Sequence, residues 1–251
     1  MIVGEIANYP GEWLQAMDAV MGFNLRHVLL GAINGQIEPA RATRMIDRIT
    51  TDAGIEGMLK SWIVIDNHDI LRIATQIPDP AQRRLAQVLQ FTLPGAPNVY
   101  YGAEVGMVGW PDPQNRGPMR WDLVKDDNPE LKWMRSLIAL HNSNRALRIG
   151  DFRTMESNKL LAFERHTDKV LETVLVFANP SDEAVTERVL VANAFLMDDT
   201  PLVDLLAATD AKPVTTIGSG FVTVTAPARS ALVLAPRERE LGGYSRYKGV
   251  R

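Results

Sequence analysis

The first half of the chain alternates short apolar runs with segments of helical period. The apolar runs are residues 1–4, "LRHVLLGAI" at 25–33, "SWIVID" at 61–66 and "APNVYYG" at 96–102. They are continuous rather than alternating in polarity, which is typical of strands buried on both faces of a parallel sheet. We interpret all four runs as parallel strands.

Three segments between these runs have the spacing of helices. Residues 40–53 carry apolar side chains three and four positions apart. Asp79-Pro80 and Asn128-Pro129 each combine a good N-cap with a proline at the first helical position. Strands separated by helices predict βαβ units and a parallel sheet.

The pattern changes near Gly150. The segments "KLLAFERH", "ETVLVFANP", "EAVTERVLV", "FVTVTAP" and "RSALVLAP" are short, rich in β-branched residues and separated by turn residues. This spacing predicts an antiparallel β-sandwich. We therefore expect an α/β domain over residues 1–149, an all-β domain over 150–236 and a charged, glycine-rich tail over 237–251.

Composition excludes several classes of protein. The 251 residues are 46% hydrophobic and 23% charged, as in an ordinary soluble domain, and the net charge of -3 gives no reason to expect nucleic acid as a partner. The chain has no cysteine, which excludes disulfides and thiolate chemistry. No run is long enough to cross a bilayer, and the first residues are not a signal peptide. These features favour the cytoplasm, but any export signal would lie before residue 1, so the sequence does not determine the compartment.

Polar side chains follow three of the four runs. Glu5 follows the first run, Asp66-Asn67-His68-Asp69 follow the third, and Glu104 comes shortly after the fourth. The carboxyl ends of parallel strands meet at one face, where reactive side chains collect. Two carboxylates in one cleft, one protonated and one ionised, are what glycoside hydrolysis requires.

Each of these signals has simpler explanations. Glu5 alone could be a cap or a solvated group. Residues 67–69 could form an Asx-turn with a partly buried histidine. A metal-dependent hydrolase using His68 and Asp69 is a further alternative, although the sequence supplies no complete ligand set, and we assign no metal site. Trp13, Trp110 and Trp121 could be sugar platforms or ordinary packing residues.

Taken together, the motifs form an ordered set. "VGEIANY", "VIDNHD" and "GAPNVYYGAEVGMVGWPDPQNRGPMRWD" follow one another in the chain. The set resembles the α-amylase family of retaining glycoside hydrolases, over roughly residues 1–236, and within it the cyclomaltodextrinase and neopullulanase group. The resemblance implies the C-terminal half of a (β/α)8 TIM barrel, strands five to eight, followed by the β-sandwich domain.

The resemblance implies a role for each matching residue. Glu5 in "GEI" matches the general acid/base at the end of the fifth barrel strand. Asp69 in "NHD" matches the carboxylate that stabilises the transition state, and His68 matches its neighbour that binds sugar hydroxyls. Asn67 would help to bind substrate by shaping the turn that presents both.

The resemblance also implies contacts away from the cleaved bond. Asp112 and Arg116 in "DPQNR" match a loop that holds more distant glucose units. The expected substrate is an α-glucan or maltooligosaccharide. No cofactor is expected in this chain, and calcium could bind in the missing N-terminal part.

One family motif has no counterpart in the chain. The nucleophile of the family is an aspartate in a pattern like Gly-x-Arg-x-Asp, about thirty residues before the acid, but here the acid is residue 5. "RMID" falls in a helix pattern and "RWD" in a loop. We therefore expect a fragment that is inactive alone, needs the missing N-terminal half-barrel from the same or a separate chain, and oligomerises through exposed sheet edges. A non-catalytic half-barrel that binds sugar or complements a partner chain is the alternative.

Overall fold

The computed structural model describes residues 1–207, 212–237 and 247. Helices dominate up to residue 149, and the predicted helices over 40–53 and after Asp79 and Asn128 are all present. The Asp79 carboxylate accepts a hydrogen bond from the Ala81 amide, and the Asn128 side chain accepts one from the Glu130 amide, as their N-cap positions predict. The helices are α1 Pro10–Trp13, α2 Phe23–Ile33, α3 Pro39–Ala53, α4 Ile55–Lys60, α5 Ile73–Gln76, α6 Pro80–Thr92, α7 Pro129–Ser143 and α8 Arg145–Ile149.

Four short strands form a parallel array in the first part of the chain. They are β1 Val3–Gly4, β2 Ala19–Val20, β3 Trp62–Val64 and β4 Ala96–Asn98. β1 pairs with β2 and β3 pairs with β4, in both cases in parallel. A parallel bridge between Met21 and Trp62 joins the two pairs, so the four strands follow one another in sequence order. This is the arrangement expected of consecutive βα units.

The second of these strands is not the one predicted. The apolar run at 25–33 lies within α2, and the strand is the two-residue β2 that precedes it. The run lacks a polar face because α2 is covered on most sides: Leu29 and Ile33 are almost fully buried. A short apolar run of this kind fits a buried helix as well as a buried strand.

The remaining strands form one curled antiparallel sheet, in the order β5-β6-β7-β12-β9-β10-β11-β8. The predicted segments correspond to β6, β7, β8, β11 and β12, whereas β5, β9 and β10 were not predicted. The α/β arrangement followed by an antiparallel β-region is confirmed. The strands are β5 Asp151–Thr154, β6 Leu161–His166, β7 Val174–Asn179, β8 Val185–Leu190, β9 Pro201–Asp204, β10 Thr215–Gly218, β11 Phe221–Ala226 and β12 Ser230–Pro236.

The curled sheet packs on the helices through its central strands. Every residue of β6 and β7 is buried, whereas β8 and β11 alternate between buried and exposed positions. One face of the central strands, including Phe163 and Val176, joins the core of the helical part. The other face, including Phe177, packs inside the curl against residues such as Val222. Two buried faces explain why the central strands are apolar throughout.

Two further findings concern the surface and the tail. Within the residues that the structure describes, no helix is long and apolar enough to cross a membrane. Most of the predicted tail over 237–251 lies outside the described residues. Tyr247 is described: it is buried, and its hydroxyl contacts the Thr200 hydroxyl and accepts a hydrogen bond from the Met197 amide.

Candidate active site

The structure brings Glu5, His68 and Asp69 together, as the strand ends predict. Glu5 follows β1 directly, and His68 and Asp69 lie in the loop that follows β3. One carboxylate oxygen of each acid and one ring nitrogen of His68 all lie within 4.8 Å of one another. All three side chains are exposed to solvent, and they lie on the same side of the parallel array, where its strands end. Two carboxylates and an imidazole in one open cleft can share a substrate.

Asn67 shapes the turn that presents Asp69. Its side-chain oxygen accepts a hydrogen bond of 3.0 Å from the Asp69 amide, which is the geometry of an Asx-turn. Asn67 itself is 3% exposed. In this structure its side chain therefore supports the loop from below, while His68 and Asp69 face the cleft.

Arg116 contacts both predicted parts of the site, the loop of Asp69 and the loop of Asp112. Its guanidinium lies 2.9 Å from an Asp69 oxygen and 2.9 Å from an Asp112 oxygen. It also donates a hydrogen bond of 3.1 Å to the His68 carbonyl. The loop expected to contact more distant glucose units is thus in direct contact with the carboxylate expected at the reaction centre. A permanent positive charge lies beside Asp69.

Asn115 is a positioning residue that the sequence analysis missed. It is fully buried, and its amide nitrogen donates to the carbonyls of His68 and Ile70 at 2.6 and 3.0 Å. These bonds hold the backbone on both sides of Asp69. The sequence "DPQNR" does not mark Asn115 as more important than its neighbours. Its role depends on hydrogen bonds to residues 47 and 45 positions earlier in the chain.

Beneath the cleft lies a buried charged layer. Asp66 is 1% exposed and accepts a hydrogen bond of 2.9 Å from the Ile73 amide. Burial raises the pKa of Asp66 to about 6, although this hydrogen bond and the cations Arg72 and Arg26 oppose the rise. The second Asp66 oxygen is buried and has no hydrogen-bond partner among the described residues.

Arg72 is fully buried and connects the loops after β3 and β4. Its guanidinium lies 4.5 Å from the ring centroids of both Tyr100 and Tyr101, and it donates a hydrogen bond to the Tyr101 carbonyl. Cation–π contacts of a desolvated arginine are favourable by about 2 kcal/mol. The pair of tyrosines in "VYYG" therefore anchors the floor of the site.

The metal alternative rests on the same three side chains. Glu5, His68 and Asp69 are the one group of potential ligands found within the described ranges. All three are exposed, and Asp69 is already paired with the Arg116 guanidinium. A cation beside one ligand opposes the binding of a second cation there. The geometry therefore favours a carboxylate site over a metal centre.

The two other aspartates considered for the nucleophile role, Asp47 and Asp122, lie elsewhere. Asp47 of "RMID" is on α3 and accepts a hydrogen bond of 3.2 Å from the Thr154 hydroxyl of β5. Asp122 of "RWD" forms a bidentate pair with Arg120, at 2.6 and 2.7 Å. Neither belongs to the cluster around Glu5.

Comparison with known proteins identifies the family. The model of the alpha-amylase catalytic domain matches residues 1–153. The chain belongs to the alpha-amylase family. A cyclomaltodextrinase from a Bacillus species is 32% identical over 196 residues, covering 75% of this chain and 35% of the relative. Neopullulanase 2 from Thermoactinomyces vulgaris is 31% identical over 175 residues, covering 66% of this chain and 29% of the relative. The chain thus spans about a third of the length of these relatives.

Solved structures of the same family share the fold. A structure titled cyclomaltodextrinase superposes with a TM-score of 0.78 at 27% identity, covering 94% of this chain and 40% of the other. The ligand-free cyclic alpha-maltosyl-(1→6)-maltose hydrolase from Arthrobacter globiformis gives a TM-score of 0.73 at 25% identity, covering 94% and 49%. Both superpositions cover the parallel array and the curled sheet together.

Proposed function

We propose that this alpha-amylase family chain carries the general acid/base and the stabilising carboxylate of a retaining glycoside hydrolase acting on α-glucans or maltooligosaccharides. One observation carries the proposal: Glu5, His68 and Asp69, from two separate strand ends, converge within 4.8 Å. The names of the relatives, cyclomaltodextrinase and neopullulanase, support this substrate class.

Each residue has a role that its position allows. Glu5 protonates the oxygen of the bond that is cleaved and later takes a proton from the attacking water. Asp69 meets the positive charge that develops on the sugar ring, and His68 donates a hydrogen bond to its hydroxyls. Arg116 holds Asp69 in place.

The proposed reaction also needs a nucleophile, and we assign none among the described residues. In a retaining mechanism a second carboxylate, about 5 Å from the acid/base, attacks the sugar and forms a covalent intermediate. We propose that an aspartate outside these 251 residues fills this role. General acid assistance alone contributes about 10²- to 10⁴-fold, far below the acceleration of at least 10⁶-fold that is typical of enzymes.

Activity with and without the complementary half-barrel tests the proposal. We expect the 251-residue chain to show no hydrolysis of maltohexaose above background. Addition of a polypeptide carrying the first four barrel strands of a related cyclomaltodextrinase should produce turnover. In that assembly Glu5→Gln and Asp69→Asn should each abolish turnover, whereas Glu12→Gln, on the exposed surface of α1, should not.

Three outcomes separate the alternatives. Turnover by the chain alone that Glu5→Gln removes would support the hydrolase and refute the external nucleophile. Full activity of the assembled Glu5→Gln variant would refute the assigned acid. Sugar binding by the chain, with no turnover in any assembly, would favour the non-catalytic half-barrel.

A further inference from the structure

A pocket lined by three arginines lies between α2, α3 and the residue that precedes α1. Its volume is about 510 Å³, within the range of small-molecule sites. α3 contributes Arg41, Arg44 and Arg48, α2 contributes Asn24, and Tyr9 directly precedes α1. None of these residues belongs to the candidate active site. The pocket is therefore a separate place at which a ligand can bind.

The three arginines lie on one face of α3. Arg41 and Arg44 are three positions apart, and Arg44 and Arg48 are four apart, which makes them neighbours on the surface of a helix. All three are exposed. Like charges at these spacings repel one another and destabilise the helix. An anion bound between them would remove this repulsion.

Within the described residues, one of the three arginines has an anionic partner. Nε of Arg48 lies 2.7 Å from a carboxylate oxygen of Asp52, and the same oxygen lies 2.9 Å from the Tyr9 hydroxyl. These contacts neutralise Arg48 and fix the Tyr9 ring in the pocket wall. The side chains of Arg41 and Arg44 form no hydrogen bond and no ion pair with any described residue.

The carboxylates nearest to Arg44 do not compensate its charge. Arg44 also lines a neighbouring pocket that contains Glu156 and Glu187. The two oxygens of Glu187 accept hydrogen bonds from the Ser157 hydroxyl and the Lys159 amide. Among the described side chains, neither glutamate forms an ion pair with Arg44. Two guanidinium charges of the arginine-lined pocket therefore remain without an anion.

This charge and the pocket walls define the chemistry of a ligand. Each guanidinium presents a planar fork of N–H donors that matches the oxygens of a phosphoryl group. A phosphate monoester carries nearly two negative charges at neutral pH, which matches the combined charge of Arg41 and Arg44. The other walls include apolar surface, since Tyr9 is 37% exposed and Met45 is 38% exposed. Such surface suits the organic part of an ester better than a bare ion.

We propose that this pocket binds a small organic phosphate monoester. Its phosphoryl group lies on Arg41 and Arg44, and its organic part lies against Tyr9 and Met45. The site does not depend on the proposed hydrolysis of glucans, because it shares no residue with the candidate active site.

Binding of phenyl phosphate to the full chain tests the proposal. The compound is titrated into the protein at constant ionic strength, and its affinity is measured by calorimetry. Arg41→Gln and Arg44→Gln should each weaken binding about tenfold or more, because each removes charge-assisted hydrogen bonds. Arg148→Gln removes an exposed arginine of α8 outside the pocket. It should change the affinity by less than about twofold, because distant surface charges are screened by salt.

Two further probes separate the phosphoryl group from the organic part. Inorganic phosphate should bind more weakly than phenyl phosphate, because it makes no contact with Tyr9 and Met45. Phenol, which lacks the phosphoryl group, should not bind. Equal affinity for inorganic phosphate would show that free phosphate is the ligand and would refute the role of the apolar wall. Binding of phenol as tight as that of phenyl phosphate would refute the arginine site.

Thermal unfolding distinguishes a binding role of the arginines from a structural one. Arg41→Gln and Arg44→Gln should leave the melting temperature unchanged or raise it, because they relieve repulsion on α3. Weaker binding accompanied by a lower melting temperature would assign these arginines to stability and contradict the proposal. It is also overturned if phenyl phosphate does not bind the unaltered chain, or if Arg148→Gln weakens binding as much as the two pocket variants do.

Discussion

At the scale of single residues, the candidate site combines exposed groups, to which we assign contact with substrate, with buried groups that hold their loops. Glu5, His68 and Asp69 were predictable because strand ends in parallel folds collect reactive side chains. Arg72 and Asn115 were not predictable, because their roles come from contacts across loops far apart in sequence. Both residues matter because they are buried, and burial of a polar side chain cannot be predicted from sequence spacing alone.

Arg116 should affect catalysis as well as binding. From its sequence position alone, its removal would mainly raise KM by weakening a remote contact. The structure places its guanidinium 2.9 Å from Asp69, so Arg116→Ala should also let that carboxylate move. In the assembled enzyme we expect kcat to fall roughly tenfold or more. Arg135→Ala is the control, since Arg135 pairs with the exposed Asp126 outside the site. An unchanged kcat with a raised KM would restore the remote-contact interpretation.

Asp66 should make stability fall as pH rises toward neutrality. In the folded protein its pKa is about 6, against an ordinary value of 3.8. The folded state therefore holds a proton that the unfolded state has already lost. The stabilising contribution is complete below about pH 3.8 and is lost as pH rises through 6, by about 3 kcal/mol for a shift of about two units.

Denaturant unfolding of Asp66→Asn between pH 4 and 7 measures this contribution. The decrease in unfolding free energy across that range should be smaller by about 3 kcal/mol than in the unaltered protein. Glu164, whose pKa burial raises to about 7, produces a similar decrease in both proteins and cancels in the comparison. Asp126→Asn, at a fully exposed side chain, should leave the pH dependence unchanged. Parallel curves for Asp66→Asn and the unaltered protein would contradict the assignment.

At the scale of helices and strands, hydrophobic periodicity and capping residues predicted the elements that depend on local sequence. α3, α6 and α7 have strong amphipathic or capping signals, and their positions agree with the prediction. The run at 25–33 was misassigned because its environment, buried on most sides, removes the polar face that marks a helix. β2 has two residues and β9 and β10 four each, too few for a periodic signal.

The curled sheet is attached to the helices by a buried arginine. Arg165 of β6 is fully buried and donates to the carbonyls of Thr92, Gly150 and Asp151 at 2.9, 2.9 and 3.2 Å. Thr92 ends α6 and Gly150 caps α8, so the cation lies at the negative ends of two helices. Burial lowers the pKa of Arg165 to about 9, so the group remains charged at neutral pH.

Loss of Arg165 should therefore destabilise the protein strongly. Arg165→Met keeps most of the side-chain volume but leaves buried carbonyls without donors, at a cost on the order of 3–5 kcal/mol. Urea unfolding measures the change. Arg148→Met is the control, since Arg148 lies exposed in the last turn of α8. A change below about 1 kcal/mol for Arg165→Met would show that water replaces the guanidinium.

At the scale of the whole molecule, the parallel array has two ends. β1 pairs on one side with β2, and β4 pairs on one side with β3; neither has a second partner strand among the described residues. The flanking side chains are apolar: Ile2 is 63% exposed and Val99 is 37% exposed. An unpaired strand edge beside apolar side chains is a surface for association. The matched regions cover about a third of the length of the relatives.

We therefore expect the 251-residue chain to self-associate through these edges. Size-exclusion chromatography with light scattering should show species larger than the 27.8 kDa monomer, increasing with concentration. Ile2→Lys places a charge beside β1 and should shift the distribution toward monomer, because a charged side chain on an edge opposes strand pairing. Ile149→Lys, at an apolar residue of α8 that is 53% exposed, should not. A sharp monomer peak for the unaltered chain, or the same shift for both lysine variants, would show that the edges do not drive association.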